Sequence, residues 1–217
     1  MTGAADGPRP YRDRVDAGVR LAECLAAYAD RPDVVVLGLP RGGVPVAAEV
    51  ARALRAPLDV FCVRKLGVPG DEELAMGAIA TGGVVVVNDQ VVADIGVPEH
   101  MLAGVAAAER EELERQERAY RGDHPPAPLA GRTVLVVDDG LATGATMRAA
   151  VQAVRAAGPS RVVVAVPVAA AETCRSLAAD ADAVVCPLAP ESFRSVGAWY
   201  DDFSPTSDDE VRRCLTS

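Results

Sequence analysis

The sequence has few aromatic residues, few histidines and no closely paired cysteines. Phe, Trp and Tyr make up 4% of the 217 residues, so the core must be built from Val, Leu, Ile and Ala. Two histidines are too few for a His-rich metal site. The five cysteines form no Cys-x-x-Cys pair, and their odd number and wide spacing predict free thiols in a reducing compartment.

Long apolar runs and an excess of positive charge are also missing. No apolar stretch approaches the roughly 20 residues that span a bilayer, and residues 1–14 lack the apolar run of a signal peptide. Asp and Glu number 31 against 22 Lys and Arg, and the net charge of -9 disfavours binding to nucleic acid through bulk electrostatics. We therefore expect a cytoplasmic protein with neither a membrane nor a nucleic-acid partner.

The chain nevertheless has the composition of a folded protein, with 50% hydrophobic and 24% charged residues. Short runs of β-formers alternate with helical stretches, which predicts an α/β fold with a doubly wound, mainly parallel sheet flanked by helices. The predicted strands are 34–37, 58–63, 78–80, 84–87, 134–137, 162–166 and 183–186. The predicted helices are 15–29, 46–54, 98–121, 146–157, 172–179 and a last one from about Asp208.

One strand-to-helix loop carries the strongest chemical signal. The string VLVVDDGLATGAT, at 134–146, places Asp138 and Asp139 at a strand tip, before a loop of small residues and a helix start. Such a loop lets backbone N–H groups approach an anion, and Thr143 and Thr146 add hydroxyl groups. Two carboxylates can accept hydrogen bonds from a vicinal diol. The string favours a sugar-phosphate site over a helix that Asp and Thr merely cap.

Other loop signatures are missing from the sequence. It contains no Gly-x4-Gly-Lys-Ser/Thr string, no Gly-x-Gly-x-x-Gly after a strand and no Gly-x-Ser-x-Gly, so a P-loop NTPase, a dinucleotide-binding fold and a Ser hydrolase are disfavoured.

The 134–146 string closely resembles the phosphoribosyl-diphosphate (PRPP) motif of the type I phosphoribosyltransferases. The resemblance covers about residues 10–190, and it implies that Asp138 and Asp139 bind the ribose hydroxyls. It implies that Mg²⁺ binds mainly through PRPP, with these two carboxylates as further ligands. The residues that it assigns to the 5-phosphate are Gly140, Leu141, Ala142, Thr143, Gly144, Ala145 and Thr146.

Two further segments match the family's remaining parts. The loop 38–43 is similar to its pyrophosphate loop, which implies diphosphate contacts from Arg41 and Gly42 and a non-proline cis peptide. Arg64 and Lys65 follow a strand and are expected to contact the pyrophosphate at the start of a flexible lid, about 64–83; an exposed, solvated basic pair is the alternative. Glu72 and Glu73, in that lid, are weak candidates for a catalytic base or for a contact with metal-bound water.

The end of the chain, 191–217, is expected to form a small hood or tail beside the main domain, 10–190. Phe193 and Trp199 are candidates to stack on the acceptor base, although packing of the tail on the domain is favoured. The charge-dense second half of 98–121 is typical of a solvated face, a lid or an arm that joins a homodimer. Segments 66–83 and 193–203 are similar to a poorly characterised bacterial branch, which leaves the acceptor open.

The resemblance implies transfer of the 5-phosphoribosyl group from PRPP to a nitrogenous acceptor, with Mg²⁺ and release of pyrophosphate. Ala142 stands where hypoxanthine-guanine enzymes carry an Asp, so a 6-oxopurine acceptor is disfavoured. The rival hypothesis is a non-catalytic regulator of the same fold that binds PRPP or a nucleotide. A third is an enzyme that acts on a sugar phosphate by another reaction.

Overall fold

A computed structural model describes residues 11–69 and 71–216, and only the backbone at 71–73. Eight strands and seven α-helices follow one another along these residues. In chain order they are α1 (Arg14–Cys24), β1 (Val34–Gly38), α2 (Gly43–Leu54), β2 (Leu58–Val60), β3 (Val63–Val68), β4 (Asp71–Ala80), β5 (Val84–Val87), α3 (Asp89–Ile95), α4 (Glu99–Arg121), β6 (Thr133–Val137), α5 (Ala145–Ala156), β7 (Arg161–Ala165), α6 (Ala171–Leu177), β8 (Ala183–Val185) and α7 (Asp208–Thr216).

A five-stranded parallel sheet in the order β2-β1-β6-β7-β8 forms the centre of the fold. Every residue of β1 and β6 is buried, because helices cover both faces. Val34 and Val36 face a core built with α1 and α2, whereas Val35 and Leu37 face a core built with α5 and α6. This alternation follows the two-residue period of a strand. The predicted doubly wound fold is confirmed.

A second, antiparallel sheet in the order β3-β4-β5 packs against α4 and α5. It contains most of the segment 64–83, for which the sequence suggested a lid with a strand only at 78–80. The pairing of β3 with β4 shifts register on both sides of Gly67. The strands predicted at 78–80 and 84–87 are present in β4 and β5. Glycine and proline at 67–70 interrupt the β pattern, which explains why most of β3 and the first part of β4 were not predicted. Movement of the segment over the site stays a prediction.

The segments near both ends of the described chain pack together beside the main sheet. The Tyr11 N–H donates to the Trp199 carbonyl at 2.8 Å, and the Asp201 N–H donates to the Tyr11 carbonyl at 2.7 Å. The Tyr11 and Tyr200 rings lie 5.5 Å apart, and α7 packs on α2 and α4. Residues 199–204 therefore form part of the wall around the edge where β1 and β6 end.

All five cysteines are free thiols, as the sequence predicts. Across 11–69 and 71–216, no helix combines the length and apolarity needed to cross a bilayer.

Candidate active site

The two adjacent carboxylates lie directly after β6, at the carboxyl edge of the central sheet. The Asp139 N–H donates to Asp138 Oδ1 at 2.8 Å. Burial raises the pKa of Asp138 well above its ordinary value, and the neighbouring charge of Asp139 raises it further. Burial also raises the pKa of Asp139, although Arg14 opposes this shift. A cation or hydroxyl donors would stabilise the ionised form of these two partly dehydrated, adjacent carboxylates.

Arg14, at the start of α1, is the side chain that partly compensates this charge. Its Nε lies 2.8 Å from Asp139 Oδ2, and the two side chains are only 12% and 14% exposed. Another guanidinium nitrogen donates to the Ser204 carbonyl at 2.7 Å, and the group lies 4.1 Å from the centre of the Phe203 ring. The sequence analysis missed Arg14, because no local pattern marks a contact across 125 positions.

Replacing Arg14 with Met should destabilise the protein most at high pH. Asp139 would remain half-buried without its cation, at a cost of about 1–3 kcal/mol when it is ionised. Its pKa would rise further, so the loss should fade as the pH falls through the raised pKa and the carboxyl takes up a proton. Urea unfolding from about pH 8 down to about pH 5 measures this trend. Arg14 also lowers the pKa of the neighbouring Asp138, so the control removes both carboxylates. In an Asp138→Asn/Asp139→Asn background, a loss that still depended on pH would contradict the assignment.

One side of the loop 140–146 is held by hydrogen bonds and packing, and its other side is exposed. The Leu141 N–H donates to the Val168 carbonyl at 3.0 Å, and Thr173 Oγ1 donates to the Ala142 carbonyl at 2.6 Å. Gly144 has a φ of 72° and caps α5, and a Cβ there would lie 2.7 Å from a Thr173 methyl group. These contacts hold the loop against α6. The residues whose side chains are exposed are Ala142, Thr143, Ala145 and Thr146.

The loop after β1 meets the acid pair at the same edge. The peptide bond between Pro40 and Arg41 is cis, as the resemblance implies. A Cβ at Gly42 would lie 2.1 Å from Asp139 Oδ2, so a larger residue here would displace that carboxylate from Arg14. Arg41 itself is exposed and lies 3.7 Å from Asp208 Oδ1 at the start of α7.

Arg64 and Lys65 lie on opposite faces of β3, because successive side chains of a strand alternate. Arg64 forms a partly buried ion pair with Glu109 of α4. Lys65 instead lines a cavity together with Thr143 and Thr146. The structure therefore brings Lys65, but not Arg64, to the loop 140–146. Glu72 and Glu73 lie on β4, and their side chains fall outside the described residues.

Phe193 and Trp199 are partly buried in an aromatic cluster. They pack with Tyr11, Val168 and Tyr200, which are buried. This is the tail packing that the sequence analysis favoured. Their stacking on a base stays a prediction. Ala142 offers a base only its backbone and methyl group.

Asp138 and Asp139 could provide a few of the ligands of a Mg²⁺ ion whose other ligands come from a bound substrate. Mg²⁺ commonly takes one or two carboxylates together with substrate phosphates. Within 11–69 and 71–216, no cluster of three or more His, Cys, Asp or Glu could hold a metal without such a ligand. The partly dehydrated carboxylates of Asp138 and Asp139 fit the role of one or two additional ligands.

A doubly wound sheet with two acids and an anion-type loop at one strand tip defines a class of α/β protein that binds ligands at its carboxyl edge. Residues 12–198 match the family model for the phosphoribosyl transferase domain, and the chain belongs to this family. The match confirms the family resemblance.

Relatives extend the comparison to most of the chain. A Mycobacterium tuberculosis protein, named provisionally as a phosphoribosyl transferase, is 49% identical over 201 residues; these are 93% of this chain and 45% of that protein. The chain thus spans a little under half the length of the curated relatives it matches. The crystal structure of TT1426 from Thermus thermophilus is 46% identical, with a TM-score of 0.86, and the match covers 95% of this chain and 97% of that one. AQ2163 from Aquifex aeolicus, 12% identical with a TM-score of 0.51 over 94% of this chain and 86% of that one, shares the fold.

Proposed function

We propose that the protein transfers the 5-phosphoribosyl group of PRPP to a nitrogenous acceptor and releases pyrophosphate. The observation that carries this proposal is the meeting of the two loops, with Gly42 in contact range of Asp139. A diol-binding acid pair therefore lies between a phosphate-type loop and the loop that carries Arg41. These are the groups that a sugar bearing phosphates at both ends requires.

Each group has a positioning or electrostatic role. Asp138 and Asp139 accept hydrogen bonds from the ribose hydroxyls, and the loop 140–146 donates backbone N–H groups to the 5-phosphate. Arg41, with Lys65, stabilises the diphosphate as the bond from its oxygen to ribose C1 breaks and the electron pair leaves with pyrophosphate. A nitrogen lone pair of the acceptor forms the new bond to C1, and the proton of that nitrogen passes to solvent. Bound Mg²⁺ would neutralise charge on the leaving group.

The acceptor class follows from what the loop lacks. Ala142 has no carboxylate to hydrogen-bond a purine ring nitrogen, so hypoxanthine and guanine should be poor acceptors.

Arg64 is a further proposed diphosphate contact only if its ion pair with Glu109 opens. We also propose a cytoplasmic location, no nucleic-acid partner and a homodimer.

PRPP with Mg²⁺ should raise the melting temperature of the protein. A ligand at about 100 times its Kd stabilises the native state by about 2.7 kcal/mol. For a chain of this length, that corresponds to a rise of roughly 5–10 °C. Ribose 5-phosphate should give a smaller rise, because it lacks the diphosphate. Thermal unfolding with each ligand, with Mg²⁺ alone as the control, measures the difference.

Pyrophosphate release with a panel of acceptors separates an enzyme from a regulator. The panel should contain adenine, uracil, orotate, hypoxanthine and guanine. Release with at least one acceptor supports transfer. Stabilisation by PRPP without release for any acceptor would support the non-catalytic alternative. No stabilisation at millimolar PRPP would contradict transfer from PRPP and leave only a regulator that binds a nucleotide.

A further inference from the structure

A cavity of about 480 Å³ lies between α5 and the antiparallel sheet β3-β4-β5. On the helix side, its wall includes Ala145, Ala149 and Gln152, at the spacing of one helix face. It begins at Thr143 and Thr146 of the phosphate-type loop and extends about two turns along the helix, or roughly 10 Å. Neither member of the acid pair is among the described residues that line it.

The size of the cavity exceeds what the proposed donor's phosphate requires. A volume of about 480 Å³ lies within the range of small-molecule sites, about 300–1,000 Å³. A monophosphate at the start of α5 would occupy only one end. The remainder lies away from the acids, where a separate molecule can bind.

The walls of the cavity are apolar at the centre and polar at the rim. The apolar part includes Val63, Ala78, Val86 and Ala149. Ala149 lies on α5, whereas Val63, Ala78 and Val86 lie on the antiparallel sheet, so both walls offer apolar surface to the faces of a ring.

Amide groups at the rim offer both donors and acceptors. Asn88 and Gln152 each carry a carbonyl oxygen and an NH₂ group. The Asn88 oxygen accepts a hydrogen bond from the Val91 N–H at 3.3 Å, and its NH₂ group is the remaining donor. Such groups match the mixed edge of a nucleobase.

The charges at the rim largely offset one another. Arg148 forms an ion pair with Asp180 at 3.3 Å and donates to Ser176 at 2.6 Å. The other charged residues of the lining, Lys65 and Asp89, have opposite signs. An uncharged ligand suits this balance better than an anion or a cation, because a charged ligand would add a charge that the lining does not compensate.

We propose that this cavity is a second ligand site, which takes an uncharged planar nitrogen heterocycle of nucleobase or nucleoside size. Its occupant weakens binding of the phosphoribosyl donor, because Thr143 and Thr146 belong both to the cavity and to the phosphate-type loop. The binding site stands on the cavity alone, whereas the coupling rests on the proposed function. Because the two binding equilibria are linked, the phosphoribosyl donor must weaken binding of the heterocycle by the same factor.

The experiment compares two Ala→Leu variants on the same helix. Ala149→Leu places a larger side chain in the cavity. Ala156→Leu adds the same atoms at an exposed position of α5 outside it. The probes are adenosine and uridine, whose glycosylated ring nitrogens cannot accept another phosphoribosyl group. Calorimetry measures the Kd of each nucleoside, and of PRPP with Mg²⁺ in its presence and absence.

We expect a nucleoside to bind the unmodified protein and Ala156→Leu equally, and to bind Ala149→Leu at least about 10-fold more weakly. At a nucleoside concentration about ten times its Kd for the unmodified protein, PRPP should bind about fivefold or more weakly to the first two proteins. The same concentration would fill about half of the Ala149→Leu sites, so PRPP affinity should fall there by less than about twofold. Failure of both nucleosides to bind the unmodified protein, or equal binding to Ala149→Leu, would overturn the site. Unchanged PRPP affinity at saturating nucleoside would overturn the coupling. Loss of PRPP binding in all three proteins would contradict the proposed function, while the nucleoside data would still decide the cavity.

Discussion

The double substitution Asp138→Asn/Asp139→Asn should abolish binding of PRPP with Mg²⁺ and leave the fold intact. Each carboxylate that accepts a hydrogen bond from a ribose hydroxyl contributes about 1.5–3 kcal/mol. Loss of both corresponds to a Kd at least about 100-fold higher. Calorimetric titration of PRPP measures the change.

The same variant should be as stable as the unmodified protein at neutral pH, or more stable. The pKa values of Asp138 and Asp139 are raised, so the folded state favours the protonated carboxyls. The two groups therefore lower stability as the pH rises above the ordinary Asp range, and asparagine removes this cost. Arg14 offsets part of the gain, because its ion pair with Asp139 is lost.

A matched control is available in Glu111 and Glu114, two exposed carboxylates of α4 outside the site. Glu111→Gln/Glu114→Gln removes the same charge and should leave PRPP affinity within about threefold. Normal PRPP binding by the 138/139 variant would reject the ribose role. Unfolding of that variant would instead show that the two acids act as structural caps.

Gly43→Ala should have the second large effect, on both stability and ligand binding. A Cβ at this first residue of α2 would lie 2.7 Å from both the Asp138 Cα and the Val137 carbonyl oxygen. These are backbone atoms, so relief of the clash requires α2 or the end of β6 to shift. Such overpacking costs about 1–3 kcal/mol. The shift would also separate the loop after β1 from the acid pair, which should weaken PRPP by about 10-fold or more.

Gly104→Ala provides the comparison for this substitution. Gly104 lies on the exposed surface of α4, and a Cβ there meets no atom within 4 Å. Alanine should stabilise this helix by about 0.5–1 kcal/mol. Urea unfolding and PRPP titration of both variants give the result. A Gly43→Ala protein that matched Gly104→Ala in stability and affinity would show that the close approach is not needed.

The central sheet and the main loop were predictable because their signals are local. The string 134–146 contains β-formers, then acids, then small residues, and the observed β6 and α5 begin within one residue of the predicted bounds. The first helix was predicted as one unit over 15–29, but α1 ends at Cys24 and a short 3₁₀ turn follows. Helix ends depend on capping contacts that periodicity does not report.

The parts that escaped prediction depend on contacts between distant segments. The strands β3 and β4 carry Lys65, Gly67 and Gly77, and they are held by pairing and by α4 rather than by β propensity. The seven-residue α3 is too short to show a helical period, although Asn88 and Gly96 cap its ends. The position of Lys65 beside Thr146 likewise follows from packing of the second sheet on α5.

The ring of contacts around the acid pair has a consequence for the order in which the chain acquires its parts. Arg14 lies 125 positions from Asp139 and 190 from Ser204, whereas paired residues of β1 and β6, such as Val34 and Thr133, lie 99 positions apart. The contact with Ser204 therefore closes the largest of these loops. During synthesis, β1, β6 and β7 can pair before residues 199–204 have left the ribosome. The strand end that carries the acid pair therefore forms early, and the contacts made by Tyr200 and Ser204 form late. A nascent chain that stops short of these residues would carry the sheet with an unfinished, solvent-open carboxyl edge.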